Sequence, residues 1–445
     1  MKHSLLFLAI LTVLYSCSST QHIRRSAEKD LIQSEPLKTA HVGISIFDPA
    51  TNKYLYNYQG DKYFVPASNT KIPTTYAAMK YLGDSLVAAR VAIDDDGAII
   101  LYPSGDPTFL HPEYKFQPLV EKLKGAEVIR WDLTAWQSKH WGNGWSWNDY
   151  DATYMAERSP LPIYGNLMRF YLSGDTIKSY PSAIPIWYSI SHMGDNYNPT
   201  NKTIKIRGFT LERALDENRV HLKTATSDFK SMEMPLRTSV GFVSQQLKDL
   251  TQAENVSTQW ADSDYVDNRI RQTIYSQPTD SLLKPLMHRS DNFFAEQALL
   301  MASNEYLGVM SDNKIIDTLL KTHFKDLPQK PRWVDGSGLS RYNLFTPQDF
   351  VVILNKLKNE FGMERIQAIF PTGNEGTLTN YYKDLTGKLF AKTGTLSGVV
   401  ALSGYMYTRK NKLLLFSVLV NNHQTSAANV RRAVEQFLTG VQARY

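Results

Sequence analysis

One cysteine in 445 residues sets the terms on which this chain can fold. A lone thiol forms no internal disulfide and completes no multi-cysteine metal site, so stability has to come from buried apolar surface. The length suffices, because at roughly 150 residues per domain it predicts about three domains with ample chain to bury a core. Hydrophobic residues at 42% and charged residues at 21% are ordinary globular proportions, which exclude wholesale disorder, a collagen-like repeat and a polytopic membrane protein.

The position of the cysteine carries a second message. Met1-Lys2-His3 is a charged start, Leu5 to Leu14 is an apolar run of ten residues, and Tyr15-Ser16-Cys17-Ser18-Ser19 follows. Such a run is too short to span a bilayer and reads as a secretion signal over 1–17. The Leu14-Tyr15-Ser16-Cys17 ending resembles a bacterial lipobox, whose cysteine becomes the lipidated first residue, although Tyr15 is bulkier than that pattern usually holds. An ordinary cleaved signal is the alternative, and either one exports the chain. The expected location is therefore the periplasmic side of a bacterial cell envelope, with a lipid on Cys17 as the membrane anchor. The 49 basic and 43 acidic side chains leave a net charge of +6 with no Lys/Arg run longer than two. Dispersed charge of that kind argues against nucleic acid and fits mild attraction to a polyanionic surface.

Along the chain, His41 to Phe47 alternates as a strand, Asp48 to Asn52 carries turn residues and Lys53 to Tyr58 returns, which predicts a β-hairpin. Ile72, Tyr76, Met79 and Leu82 recur at helical spacing, with Pro73 close to the helix start. From about Val87 to Asp264 short apolar runs punctuated by Gly, Pro and Asn predict a β-rich inserted region of two modules. Helical spacing resumes at Phe293 to Leu307 and Ile315 to Leu320. A three-strand meander over Leu389 to Lys392, Val399 to Tyr407 and Lys412 to Val420 precedes a last amphipathic helix from about Thr425 to Leu438. The expected fold is α+β, with one domain made from the two ends of the chain.

Without metal-ligand spacing, such a chain has to work with ordinary side chains, which points to an activated nucleophile. His-Glu-x-x-His and Gly-x-Ser-x-Gly are both absent. Ser-x-x-Lys occurs at Ser26/Lys29, Ser68/Lys71, Ser227/Lys230, Ser281/Lys284 and Ser311/Lys314, and only Ser68/Lys71 opens an apolar helix. There the two side chains share a face, and the helix N-terminus favours negative charge on the serine oxygen. Lys71 can serve as base only if desolvation and a second cation lower its pKa. Ser-Asp-Asn appears at Ser290-Asp291-Asn292 and at Ser311-Asp312-Asn313, the second reading more simply as a helix cap. Lys-Thr-Gly is unique, at Lys392-Thr393-Gly394, followed by Thr395 in the first meander strand. A strand offering a lysine and two threonine hydroxyls suits an extended peptide with a carboxylate.

The order Ser-x-x-Lys, Ser-x-Asn, Lys-Thr-Gly is the signature of penicillin-binding proteins and class A β-lactamases. With Pro66-Ala67-Ser68-Asn69-Thr70-Lys71, Ser104-Gly105-Asp106-Pro107-Thr108, Gly144-Trp145-Ser146-Trp147-Asn148-Asp149, Asp335-Gly336-Ser337-Gly338 and Gly376-Thr377-Leu378, the chain resembles the low-molecular-mass class C penicillin-binding proteins, serine D-alanyl-D-alanine carboxypeptidase/endopeptidases. The long gap between Ser68 and Ser290 matches domains inserted there in that family, for which a class A β-lactamase has no room.

The resemblance implies a penicillin-binding transpeptidase/β-lactamase-like domain, an antiparallel sheet flanked by helices. It implies a catalytic domain of 26–86 and 265–445, an inserted domain II of 87–165 and 235–264, and an inserted domain III of 166–234. By matching motif, Ser68 is the acylated nucleophile, Lys71 its base, and Ser290 the relay to the leaving amine. Asn292 binds the substrate carbonyl, Lys392, Thr393 and Thr395 bind its carboxylate, and the backbone N–H groups of Ser68 and Thr395 form the oxyanion hole. In the family an acidic residue with a nearby aromatic reaches from the inserted domain to the substrate's diamino-acid side chain, and Asp132 with Trp136 is expected in that role. The partners implied are peptidoglycan stem peptides and β-lactam antibiotics, with no metal or organic cofactor. The alternatives are a β-lactamase, for which Glu157 lacks the class A deacylating context, and a catalytically silent envelope-binding or β-lactam-sensing protein.

Overall fold

The structure is a computed structural model that describes residues 21–173, 176–182, 184, 186–188, 209–224, 231–259 and 271–445; the expected signal over 1–17, with Cys17, lies outside them. The hairpin forms as β1 (His41–Asp48) and β2 (Lys53–Tyr58). A 3-10 turn over Ala67–Thr70 leads into helix α1 (Lys71–Tyr81). Pro73 sits in the first turn of α1, where its missing N–H would have had no intrahelical partner.

The chain then leaves through β3 (Ser85–Ile93), β4 (Ile99–Pro103), the short helix α2 (Pro118–Leu123) and β5 (Val128–Asp132). Next come β6 (Leu167–Ser173), β7 (Thr176–Tyr180), β8 (Ile186–Tyr188), β9 (Phe209–Arg213), β10 (Val220–Thr224) and β11 (Ser231–Pro235), then α3 (Val240–Thr251), β12 (Asn255–Gln259) and β13 (Gln272–Pro278). These make a five-stranded sheet ordered β12-β5-β4-β3-β13 and two three-stranded sheets, β11-β6-β7 and β8-β10-β9. Exit and return lie side by side: β3 pairs antiparallel with β13, and Thr279 donates its backbone N–H to Asp84 O and its hydroxyl to Gly83 O, at 2.9 and 2.8 Å.

Helices α4 (Thr279–His288), α5 (Asn292–Leu307), α6 (Asp312–Lys321) and α7 (Pro347–Ile369) follow, then β14 (Leu389–Leu396), β15 (Val399–Tyr407), β16 (Leu413–Asn421) and α8 (Ala427–Arg444). The meander returns to the hairpin, giving an antiparallel sheet ordered β14-β15-β16-β1-β2. Both faces of it are covered. On β16, Leu415 and Leu419 join the core shared with α1, α4, α5, α6 and α7, while Leu414, Phe416, Val418 and Val420 face α8 and the segment from Ile23 to Leu37. A strand buried on both faces reads as an unbroken apolar run, as Leu413 to Val420 does apart from Ser417. Ser417 accepts a 2.8 Å hydrogen bond from the buried Ser403 hydroxyl, so neither polar atom is stranded.

Helices α2, α3, α4 and α7 are not among the elements expected above. Helix α7 is kinked at Gly362 (φ 78°), and its sequence signal is a capping box: Thr346 accepts from the Asp349 N–H, Asp349 accepts from the Thr346 N–H, and Pro347 fills the first helical position. Helix α3 lies inside the β-rich insertion, capped by Ser239 and packed through Val243 and Leu247.

Candidate active site

Three segments converge beside α1. The turn before it carries Ala67 in the left-handed region (φ 47°), a conformation costing an L-residue about 1–2 kcal/mol. The turn is held from outside. Asn69 Nδ2 donates to Lys392 O at 2.8 Å, tying the Ser68 turn to β14, and Thr70 Oγ1 donates to Ala67 O at 2.9 Å. Gly394 and Gly338 press on it from two sides. A Cβ on Gly394 would lie 2.7 Å from Pro66 O and 3.0 Å from Ser68 N, and one on Gly338, itself at φ 82°, would lie 1.9 Å from Ala67 O. Any side chain there would push the strand or the loop off the Ser68 turn.

Lys71 is fully buried, and its Nζ donates to Ser68 Oγ (3.1 Å), Asn292 Oδ1 (2.7 Å) and Ser337 O (2.7 Å). Burial lowers its pKa to about 8, against the opposing pull of Asp335, Glu296 and Asp291. Lys392 is also buried, and its Nζ donates to Ser290 Oγ (2.9 Å) and Thr393 O (2.8 Å). Burial first and the Lys71 charge second hold Lys392 well below the usual lysine value. Ser290 sits at φ 61° just before α5, which turns its hydroxyl toward Lys392. Asn292, the first residue of α5, gives its Nδ2 to Tyr154 O at 3.2 Å.

Strand β14 is the edge strand of its sheet; β15 lies on one side, Phe390 and Ala391 are bridged to Thr372 and Pro371, and among the described residues no strand pairs with the outer edge beyond them, which can receive an extended peptide. Thr393 Oγ1 donates to Thr377 Oγ1 (2.7 Å), and Arg431 Nη2 donates to Thr395 Oγ1 (2.7 Å), placing a guanidinium from α8 beside the strand. Ser68, Asn292 and Thr395 line one cleft of about 810 Å³ with Asp149, Tyr154 and Arg341.

A polar scaffold stands behind the lysine. Asp335 accepts from Gly338 N (2.9 Å), Ser340 N (2.7 Å), Asn343 Nδ2 (2.7 Å) and Trp145 Nε1 (2.9 Å), fixing the loop whose Ser337 carbonyl receives Lys71. Glu296 accepts from Ser337 N (2.7 Å) and faces Arg158, which also meets Asp312 at 2.6 Å. Arg158 is 2% exposed and donates to Lys139 O and Trp141 O as well, so the insertion is anchored to α5 and α6 through one guanidinium. The Asp335-Gly336-Ser337-Gly338 turn, ordinary by sequence, is thereby part of the site.

The expectation for Asp132 and Trp136 is corrected. Asp132 closes β5, where Oδ1 accepts from the Thr134 N–H and hydroxyl, and it opens onto a separate cavity with Arg90 and Tyr102. Trp136 bridges to Met310 and lines another cavity with Trp131 and His140. Neither lines the Ser68 cleft, because β5 runs out against the end of α5 instead. The carboxylate that the insertion does bring to the cleft is Asp149, beside Tyr154. Its sequence signal was the Gly144-Trp145-Ser146-Trp147-Asn148-Asp149 stretch. Glu157 is buried, accepting from Thr238 N and pairing with Arg237, away from the cleft.

The comparisons with known proteins agree with this geometry. Residues 25–441 match the family model described as the D-Ala-D-Ala carboxypeptidase 3 (S13) family. D-alanyl-D-alanine carboxypeptidase DacB of Haemophilus influenzae is 24% identical, covering 94% of this chain and 92% of that protein. A D-alanyl-D-alanine carboxypeptidase of an Actinomadura species is 25% identical, covering 89% of this chain and 81% of that one. The crystal structure of penicillin binding protein 4 from Haemophilus influenzae superposes with a TM-score of 0.68 at 20% identity, covering 93% of this chain and 97% of that one.

Proposed function

We propose, from the premise that this chain belongs to the D-Ala-D-Ala carboxypeptidase 3 (S13) family and is a serine-type D-Ala-D-Ala carboxypeptidase, that it removes terminal D-alanine from peptidoglycan stem peptides and cleaves peptide cross-links through a Ser68 acyl-enzyme. The observation that carries this reading is Lys71 Nζ at 3.1 Å from Ser68 Oγ, in a cleft walled by an open-edged strand. With Lys71 unprotonated, Ser68 Oγ gives it a proton and attacks the carbonyl of the penultimate D-alanine. The oxyanion faces the N–H groups of Ser68 and Thr395. The C–N bond then breaks, and the proton reaches the leaving amine through Ser290, which Lys392 orients. Water enters, the ester is hydrolysed and Ser68 is restored. Thr393 and Thr395 hydroxyls with Arg431 hold the carboxylate of the departing residue, Lys392 lies behind them, and Asn292 holds the peptide carbonyl. Asp149 and Tyr154 take the role of meeting a diamino-acid amine, through a charge-assisted hydrogen bond of about 1.5–3 kcal/mol.

Penicillin enters the same sequence and leaves slowly. In this reading 26–86 and 265–445 form the catalytic domain and 87–264 the insertion, and the chain is exported and held at a membrane by a lipid on Cys17. Mass spectrometry of the protein with penicillin, followed over time, tests the chemistry: one adduct is expected on the peptide containing Ser68, absent in Ser68→Ala. An adduct on Ser281 or Ser311 refutes it. A mature chain beginning beyond Cys17 and free of membranes refutes the anchor.

A further inference from the structure

A second cavity, of about 460 Å³, adjoins the catalytic cleft. Asn292 and Tyr154 wall both spaces, Ser68 lines only the first of them and Ser290 only the second, so the two form one trough with Asn292 at its waist. The nucleophile thus faces one arm and the group that hands the proton to the departing amine faces the other. A departing alanine, with six heavy atoms, displaces on the order of 100 Å³, about three waters' share at ≈30 Å³ each. The Ser290 arm is several times larger than a carboxypeptidase requires.

Its wall is chemically specific. Arg289 meets Glu113 at 2.6 Å, and Arg169 meets Glu233 at 2.8 Å while donating to Tyr164 O at 2.7 Å. Both guanidiniums are held by partners before any ligand arrives. Fixed donor forks of that kind suit carboxylates and peptide carbonyls, and the intervening acids suit amide and amine hydrogens. A peptide carrying both kinds of group matches such a wall better than a uniformly anionic or apolar ligand does.

We infer that this arm is the seat of the leaving strand in cross-link hydrolysis: the carboxylate next to the departing amine stays at Thr393 and Thr395, and the rest of the acceptor stem peptide, whose side-chain amine departs when Ser68 is acylated, lies along Arg289 and Arg169. The inference rests on the peptidase reading above and adds to it the subsite on the leaving side. One C–N bond breaks, the proton taken from Ser68 leaves on the acceptor amine, and the whole acceptor stem, rather than one alanine, vacates the arm before water enters.

The test compares two substrates on the full chain: a stem pentapeptide ending in D-Ala-D-Ala and a peptide-cross-linked muropeptide dimer, with penicillin acylation followed in parallel. Arg169→Ala removes one fork, and Thr153→Trp, at an exposed position on the arm, fills it. Each is expected to lower kcat/KM on the dimer about tenfold or more while the pentapeptide and penicillin rates stay within about twofold. Equal losses on both substrates, or dimer cleavage at the unmodified rate in both variants, overturn the inference. An unmodified enzyme that trims the pentapeptide but leaves the dimer intact also overturns it, with the peptidase reading still standing. One that neither acylates nor hydrolyses defeats that reading and this inference together.

Discussion

The tripeptide Ser-Asp-Asn occurs at 290–292 and again at 311–313, and the fold uses the two copies differently. At the first, Asp291 is the N-cap of α5, accepting from Phe294 N at 3.0 Å, so Ser290 falls outside the helix at φ 61° with its hydroxyl on Lys392. At the second, Ser311 is itself the N-cap of α6 and its oxygen accepts from Lys314 N at 3.4 Å, while Asp312 binds Arg158 and Asn313 is exposed. One residue of helix register separates the serine proposed as proton relay from a structural one. The following residues account for it: buried Phe293 and Phe294 come directly after the first triplet, whereas Lys314 precedes buried Ile315 and Ile316 after the second, letting that helix begin one residue earlier. A motif's letters do not carry its chemistry; the position of the core residues beside it does.

The sharpest way to break this comparison is to remove the middle residues. Asp312→Ala removes the nearer of the two carboxylates that pair the buried Arg158, leaving Glu296 at 3.4 Å, and should cost about 3 kcal/mol in denaturant unfolding, whereas Asp291→Ala loses a cap and a part-exposed pair with Arg289, about 1 kcal/mol. Similar losses would mean that the two acids are equivalent. Next in size, Ser290→Ala should slow penicillin acylation by about 10², some 2.7 kcal/mol, with no comparable loss of stability. Acylation at the unmodified rate would remove Ser290 from the proton path.

A smaller effect separates the acids by pH. As the proposed base Lys71 has to be unprotonated, so the acylation rate should climb with pH and level off above about 8, with the rate at pH 7 about a tenth of the plateau. Because Asp291 is among the charges that hold Lys71 up, Asp291→Asn should move this limb to lower pH, and Asp312→Asn should leave it in place. A rate profile flat from pH 6 to 9 would exclude Lys71 as base. The smallest effect is Ser311→Ala, a lost cap of about 1 kcal/mol with unchanged acylation, and any catalytic defect there would collapse the distinction between the copies.

Much of the catalytic body is legible in the residues themselves. The hairpin, the meander and the helix opening at Ser68 each show their own period; Lys71 is hydrogen-bonded to Ser68 and Asn292 at 3.1 and 2.7 Å, and Lys392 to Ser290 at 2.9 Å. Asn69, Arg158, Glu296 and Arg431 were invisible because their roles depend on a partner far away in sequence, such as Lys392 O for Asn69 and Thr395 for Arg431. Asp132 misleads for the complementary reason: an acidic residue near a tryptophan names a composition, and the direction in which β5 ends decides where it points. Helix α7 shows that capping chemistry at Thr346 and Asp349 can be a clearer marker than apolar spacing interrupted by a kink.

The place of β1 in its sheet has a consequence for biosynthesis. This strand, among the first to be made, has β16 as its neighbour, with Ile44 opposite Val418, and β16 is among the last. A chain growing from its N-terminus holds Ser68 and Lys71 for most of its synthesis without Lys392 to pair with Ser290 or the sheet to support β14. In the proposed reading, reactivity should therefore switch on only when the final strands arrive, late and all at once, as expected where long-range pairing dominates. A product terminated before residue 413 lacks β16 altogether and, in the proposed reading, should be silent rather than partly active, a topology that would keep unfinished chains from attacking substrate or being trapped by penicillin.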